Sequence, residues 1–381
     1  MAGLDAVIIG AGVFGTWTAH HLLASGARVT LVDAYGPASS RASSGDESRI
    51  IRCGYGPDAI YSRWARESLA AWRALFEAIG AAPPLFHACG VLWLAGDDEY
   101  TRATEETLRR GGHPVERLDA GALRARFPHI TPDEAGLALL ERDCGVLMAR
   151  RAVQAHVAHL ERQGVRVHRA RVVPARGGPL RAVRTADGGE IGGDAFVFAC
   201  GPWLPALFPD LLGGRIRPTR QVVVYFGSPA GDGRFGAART PAWVDFAAGI
   251  YGVPDIEDRG VKVGIDRHGP PFDPDGGDRV ADRASIDAAR EWLRRRMPAL
   301  AAAPVVESRV CQYENTATGD FLIDRHPDLE NVWIAGGGSG HGFKHGPAVG
   351  RYAAALVRGA APSEPRFAFA NKGTTPQRSV Y

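Results

Sequence analysis

The segment DAVIIGAGVFGTWTAHHLLASGARVTLVDA, residues 5–34, constrains this chain more than any other stretch. Asp5–Ile9 is short and apolar, as a buried strand is. Gly10, Gly12 and Gly15 follow it as GxGxxG. Thr16–Ser25 has helical composition and stops at Gly26, where a helix C-terminus favours glycine. Arg28–Val32 is a second apolar strand, finishing on Asp33. The spacing predicts a βαβ start whose glycines let the backbone turn tightly and approach a pyrophosphate closely. The N-terminus of the helix supplies free N–H groups and partial positive charge, and Asp33 stands at the spacing of a carboxylate for a ribose hydroxyl. By itself the motif leaves FAD and a nicotinamide dinucleotide both open.

A second segment of the same kind lies near the other end. NVWIAGGGSGHGFKHGPAVGRYAAALVRG, residues 331–359, reads as strand, glycine loop and helix. Gly336–Gly340 has four glycines in five residues, and a helix is predicted from about Pro347 to Arg358. A nicotinamide enzyme has no need of a late glycine loop. A flavin laid across the sheet does, and FAD is the expected cofactor. Ser339, Gly340, Gly342, Phe343 and Lys344 are then candidate cofactor contacts. DAFVFACGPW adds a buried strand that closes on Gly201 and Trp203, a further place where backbone passes a dinucleotide.

Between these segments, Ser43 and Ser44 open SSGDESRIIRCGYG, which carries Arg49 and Arg52. In an extended segment those two arginines point to opposite faces; in a turn they converge. Ile60, Trp64, Leu69, Trp72, Leu75 and Phe76 fall on one helical stripe, predicted to be core. The pattern changes at Pro83–Pro84. From Arg217 to about Cys311 short alternating strands dominate, which predicts a mostly antiparallel sheet, while DPDGGD, residues 273–278, is a loop. A chain of 381 residues exceeds the size of a single core and is expected to form two domains. The expected fold class is α/β: a Rossmann-like FAD-binding domain with a second, substrate domain on a mostly antiparallel sheet. Residues 1–83, 145–216 and 313–381 are assigned to the first, and 84–144 and 217–312 to the second.

A formal charge of +3 gives no case for nucleic acid or an anionic membrane surface. No apolar run approaches the length of a membrane span. MAGLDAVIIGAG has no basic n-region, and RSVY is not a peroxisomal tripeptide, so a reducing, cytoplasmic location is expected. Cys53, Cys89, Cys144, Cys200 and Cys311 are scattered and odd in number, which predicts neither a disulfide framework nor a metal site. Of 45 basic Lys and Arg residues only Lys262, Lys344 and Lys372 are lysine. Where arginine serves almost everywhere, a retained lysine marks a place for a compact ammonium. Lys344 sits in the late glycine loop and can hold a substrate anion. Lys262 sits in the strand pattern GVKVGID, where an ammonium beside a flavin stabilises developing superoxide. Arg52 can clamp a carboxylate bidentately. Nothing is assigned to Lys372.

GAGVFG with Asp33, SRIIRCGYG, GVL at 145–147, RQVV at 220–223, GIYG, GVKVG, VCQY and SGHGFK stand in one order along nearly the whole chain. In this the sequence resembles the monomeric sarcosine oxidase and N-methyltryptophan oxidase family, in the glycine/D-amino-acid oxidase group of flavoenzymes. The resemblance implies that Cys311 joins the flavin 8α-methyl group through a thioether. It implies that Arg52 and Lys344 hold the substrate carboxylate, that oxygen is activated at Lys262, and that Arg49 lies close to the flavin ring. Tyr251, Tyr313 and His341 match residues beside substrate, and Val172 meets the adenine through its backbone. The implied reaction oxidises the C–N bond of a secondary or N-methyl amino acid to an imine, and dioxygen is reduced to hydrogen peroxide. The partners implied are a small amine and O2, with the protein a monomer.

The sequence also departs from that family. SSGDESR replaces a histidine-rich approach to Arg49 and has one residue more. Asp266 stands at the place of an active-site histidine and is expected to pair with Lys262 or with a second cationic group on a larger amine. Cys53 replaces a histidine, and His345 replaces an aromatic residue. The alternatives are therefore an oxidase or dehydrogenase of a larger amine or other substrate, and a flavin-binding scaffold without activity.

Overall fold

The computed structural model describes residues 3–132, 136–173 and 179–377. Strand Asp5–Ile9 pairs in parallel with Arg28–Asp33 on one side and Ala195–Phe198 on the other. The sheet extends to Arg166–Arg169 at one edge and through Val332–Gly336 to Leu322–Arg325 at the other. Only the last pairing in this six-stranded sheet is antiparallel. The βαβ start is thus as predicted, with the helix running over Val13–Ala24 and the strand including Asp33. The edge strand stops at Arg169, and Val172 beyond it bridges to Thr185.

Two helices cover one face of this sheet, Val13–Ala24 and Gly346–Val357. Their backbones touch because the later helix carries glycine at the crossing. A Cβ on Gly350 would collide with the Trp17 backbone, and one on Gly346 would lie 2.8 Å from the Trp17 ring. Helix Ala59–Ala78 buries Trp64, Leu69, Trp72, Leu75 and Phe76 against them, so the predicted stripe is core, with Ile60 packed at its margin.

The second sheet has eight strands drawn from two stretches of sequence. Val305–Asn315, Arg217–Phe226, Val261–Ile265, Ile250–Val253 and Ala242–Asp245 run antiparallel in that order. Val91–Ala95 joins the last of these in parallel, and Leu137–Glu141 and Glu116–Leu118 complete the sheet antiparallel. The mostly antiparallel expectation is met. Helix Arg283–Arg296 packs on this sheet through Trp292, which stacks on Trp243 at 5.4 Å between ring centroids. A small three-stranded sheet of Arg49–Ile51, Gly145–Leu147 and Phe86–His87 carries Arg49.

Candidate active site

The carboxyl ends of the parallel strands open into a long groove. It encloses about 1540 Å³ of non-atom space, its open mouth included. Gly10, Gly12, Asp33, Ser43 and Ser44 line one wall. Val172, Gly201 and Trp203 line the mouth, and Ser339, Gly340, Gly342 and Phe343 the far end. The two glycine segments therefore meet on one cavity from opposite ends of the chain.

The glycines divide the work. Gly10 has φ +108°, and a Cβ there would collide with the Ala199 carbonyl; a Cβ on Gly15 would collide with the Gly10 carbonyl. Gly15 does not line the groove; it lets the helix seat on the strand. A Cβ on Gly12 would meet only Ser44 Oγ, at 3.4 Å. The protein's own packing does not demand glycine at that position, which leaves room for a ligand against the turn. Helix Val13–Ala24 starts at Gly12 with no side-chain cap of its own and no acidic residue in its first turn. Ser44 Oγ reaches it, accepting from Val13 N at 3.1 Å. Such a helix start suits an anion such as a pyrophosphate. Asp33 Oδ2 accepts from Ala11 N at 2.8 Å, and its Oδ1 accepts from Tyr35 N and Gly36 N, both at 2.8 Å. Burial raises its pKa against the pull of these three N–H groups. Its first task is to shape the turn.

Two groove residues carried no signal in the sequence reading. Asp275, from the loop 273–278, accepts from Trp203 Nε1 at 2.9 Å and pairs with Arg171 at 3.1 Å, so a loop of the second sheet closes over the mouth. Glu314 lies under the late glycine loop. Its Oε2 is buried and has no hydrogen-bond partner among the described residues. Burial pushes its pKa up to about 7, against the N–H groups of Gly338 and Gly337.

A second, smaller cavity of about 780 Å³ shares a wall with the groove. Arg49, Tyr313, Ser339, Gly340 and Phe343 line both. Arg52, Tyr251, Asp266, His341 and Lys344 line the second. Arg49 and Arg52 converge because strand Arg49–Ile51 ends between them. Lys344 follows the late glycine loop in a short 3-10 turn, with Nζ donating to Tyr55 Oη at 2.8 Å and to the His341 carbonyl at 3.3 Å. Burial, then Arg52, pushes its pKa well below that of a free lysine. The Arg52 guanidinium is stacked 4.4 Å from the Tyr55 ring and donates to the Gly54 carbonyl. Tyr55 also meets His341 Nδ1 at 3.3 Å and His345 Nε2 at 2.8 Å. The sequence offers no reason to single out Tyr55 from SRIIRCGYG; only the fold makes it a hub.

Asp266 does not pair with Lys262. It accepts from Tyr313 Oη at 2.7 Å, and burial raises its pKa. Lys262 pairs instead with Asp46, and donates to the Ser48 carbonyl at 2.9 Å. It does not line either cavity; its ammonium stands 5.9 Å from the Tyr225 and Tyr251 ring centroids. Burial lowers the Lys262 pKa to about 8 despite Asp46. Asp46 also takes Arg49, and burial notwithstanding, Lys262 and Arg49 hold its carboxyl well below the usual range. Cys311 is buried on strand Val305–Asn315, its Sγ 3.2 Å from Arg49 Nη2. It sits behind the shared wall rather than in the groove lining.

All three lysines are buried, at 1%, 6% and 4% exposure for Lys262, Lys344 and Lys372. Lys372 donates to the Arg366 carbonyl at 2.7 Å and lines neither cavity. Cys53 and Cys144, scattered in the sequence, have Sγ atoms 3.7 Å apart. Among the described residues no helix is long and apolar enough to cross a membrane.

Residues 5–356 match the family model described as FAD dependent oxidoreductase. The chain is 32% identical over 363 residues to the monomeric sarcosine oxidase of Streptomyces avermitilis, covering 93% of each. It is 28% identical to the N-methyl-L-tryptophan oxidase of Citrobacter koseri, covering 94% of this chain and 96% of that one. Among solved structures, the fructosyl peptide oxidase of E. terrenum superposes with a TM-score of 0.84 at 24% identity, covering 99% of this chain and 94% of that one. With two glycine turns on one groove and a helix start facing it that has no side-chain cap of its own, the chain belongs to the FAD-dependent oxidoreductases.

Proposed function

We propose that this chain is an oxidase of a secondary or N-methyl amino acid, converting the C–N bond to an imine that water hydrolyses. The observation that carries the reading is the shared wall: two cations, Arg52 and Lys344, line a cavity that meets the cofactor groove along Tyr313, Ser339, Gly340 and Phe343. Arg52 and Lys344 dock the carboxylate by charge-assisted hydrogen bonds. A bound carboxylate offsets the burial that depresses Lys344, so substrate binding and lysine protonation are coupled. Arg49, Arg52 and Lys344 together favour the neutral form of the substrate amine, which is the reactive one. No general base is assigned; positioning and charge are the main contributions of the chain. When bound, FAD supplies the two-electron acceptor, which dioxygen re-oxidises to give hydrogen peroxide.

Lys262 is the proposed site of oxygen activation. Asp46 serves more than one cation: Lys262, Arg49 and, at 3.9 Å, Arg309. The proposed tether is a thioether between Cys311 and the flavin, and the proposed protein is a cytoplasmic monomer. Asp33 is proposed to meet the ribose and Val172 the adenine; both line the groove.

A second reading is favoured by Asp266. A buried carboxylate in the substrate cavity suits an amine larger than sarcosine, carrying a second donor group. Peroxide formation across a panel of N-methyl, cyclic and larger amino acids distinguishes the two. Failure of every carboxylate-bearing amine to bleach the flavin anaerobically would sink the docking role of Arg52 and Lys344.

A further inference from the structure

Beside the substrate cavity, four side chains from separate parts of the chain meet in a sealed cluster. Cys53 follows strand Arg49–Ile51, His113 follows helix Glu99–Arg110, and Glu141 and Cys144 flank the turn that ends strand Leu137–Glu141. All four are buried, and one donor atom of each lies within 4.8 Å of the other three. The Cys53 and Cys144 sulfurs are 3.7 Å apart, and Cys144 Sγ is 3.6 Å from His113 Nε2. Glu141 Oε2 is 3.3 Å from Cys144 Sγ and 3.2 Å from His113 Nε2. A tetrahedral zinc ion with bonds of about 2.3 Å to sulfur and about 2.0–2.1 Å to nitrogen and oxygen sets edges of about 3.8 Å for S–S, about 3.5 Å for S–N or S–O and about 3.3 Å for N–O. The four observed edges agree with these to within about 0.3 Å.

The surroundings also suit a ligand set. Glu141 is oriented by three N–H groups: Trp93 Nε1 at 2.9 Å and Gly54 N at 3.2 Å on Oε1, and Cys53 N at 2.6 Å on Oε2. Outer hydrogen bonds that fix a ligating carboxylate in this way are the usual companions of a metal site. Two sulfurs, an imidazole and one carboxylate with no solvent access select zinc over calcium or magnesium, and four protein donors close the site.

We propose that Cys53, His113, Glu141 and Cys144 bind one structural zinc ion. Binding displaces the thiol protons and the proton that His113 Nε2 shares with Glu141, all of which pass to solvent, and leaves two thiolates, a neutral imidazole and a carboxylate around the dication. The net charge of −1 is offset by Arg52, which acts electrostatically on Glu141. The ion ties the peptide Cys53–Gly54 to the strand ending at Glu141. Because Arg52 donates to the Gly54 carbonyl, the metal fixes the arginine at the cavity wall. This site does not depend on the identity of the substrate.

The test is metal analysis of holoprotein made in zinc-supplemented cells and purified without chelator. The expected result is about one zinc per chain, lost in Cys144→Ser and in His113→Gln at unchanged flavin content. Growth in cobalt gives the wild type the strong ligand-field absorption of a tetrahedral thiolate site, at wavelengths beyond the flavin bands. That measurement needs no variant to fold. Wild type without metal, with all five cysteines titrating as thiols after unfolding, overturns the proposal in favour of a metal-free hydrogen-bonded cluster. Absence of metal with two thiols missing overturns it in favour of a Cys53–Cys144 disulfide. Zinc retained in full by Cys144→Ser, or a wild-type cobalt spectrum without tetrahedral intensity, overturns it as well.

Discussion

Lys262 and Asp46 form an ion pair with only 1% and 3% of their side chains exposed, and the same carboxylate also holds Arg49. The pair joins the second sheet, through strand Val261–Ile265, to the loop that leads into strand Arg49–Ile51. Asp46→Asn leaves two buried cations without their counter-ion. Removing one partner of a buried pair costs about 3–5 kcal/mol, and chemical denaturation of the variant is expected to show a loss of that size. A change below about 1 kcal/mol, as for a solvent-screened surface pair, would mean that the pair is not sealed.

Lys262→Met leaves Asp46 with Arg49 and removes the ammonium beside Tyr225 and Tyr251. Stopped-flow measurement of the two half-reactions is expected to show oxidation by O2 slowed far more than reduction by substrate. Equal slowing of both would count against an oxygen role for this lysine.

Arg52→Gln and Lys344→Met each remove a charged donor from the substrate cavity. A hydrogen bond to a charged group contributes about 1.5–3 kcal/mol, so kcat/KM for an amino-acid substrate is expected to fall about 10- to 150-fold. The methyl ester of that substrate should lose as much with the wild type, and little more with either variant. An ester that reacts as well as the acid would remove the carboxylate from the reading.

Cys311 Sγ stands 3.2 Å from Arg49 Nη2, behind the wall shared by the two cavities. Acid precipitation is expected to leave the flavin colour in the pellet for the wild type and in the supernatant for Cys311→Ser. Colour released by both would exclude the thioether.

Glu314 has its pKa raised to about 7 by burial, from an ordinary value of 4.5. Between those two values the folded protein binds the proton and the unfolded chain does not. Its contribution to stability is therefore complete below pH 4.5 and is lost as the pH rises through about 7. A shift of this size corresponds to about 3 kcal/mol. Glu314→Gln mimics the protonated carboxyl at every pH, so thermal melts of wild type and variant are expected to run close together near pH 4.5 and to part as the wild type loses stability toward pH 7. Parallel melting curves at every pH would show that Glu314 is ionised in both states.

The sequence by itself determined the scaffold and much of the site. Gly10, Gly12 and Gly15 after an apolar strand specify their turn locally, because backbone reach and helix start depend on neighbours in the chain. The same holds for Gly336–Gly340. Arg52 and Lys344 are legible from their own segments, Tyr251, Asp266, Tyr313 and His341 only through the family resemblance, and the fold gathers all six around one cavity.

Tertiary structure alone decided which charges meet. Lys262 finds Asp46, 216 residues away, rather than Asp266, four residues away on its own segment, because Asp266 follows the end of strand Val261–Ile265 and its carboxylate accepts from Tyr313. Cys53 and Cys144 are 91 residues apart in sequence, yet their sulfurs are neighbours. Tyr55, Asp275 and Glu314 were unremarkable letters until burial fixed their partners. Local periodicity records which face of an element is apolar; the partner and ionisation state of a buried polar group depend on desolvation and on the long-range neighbours that packing supplies.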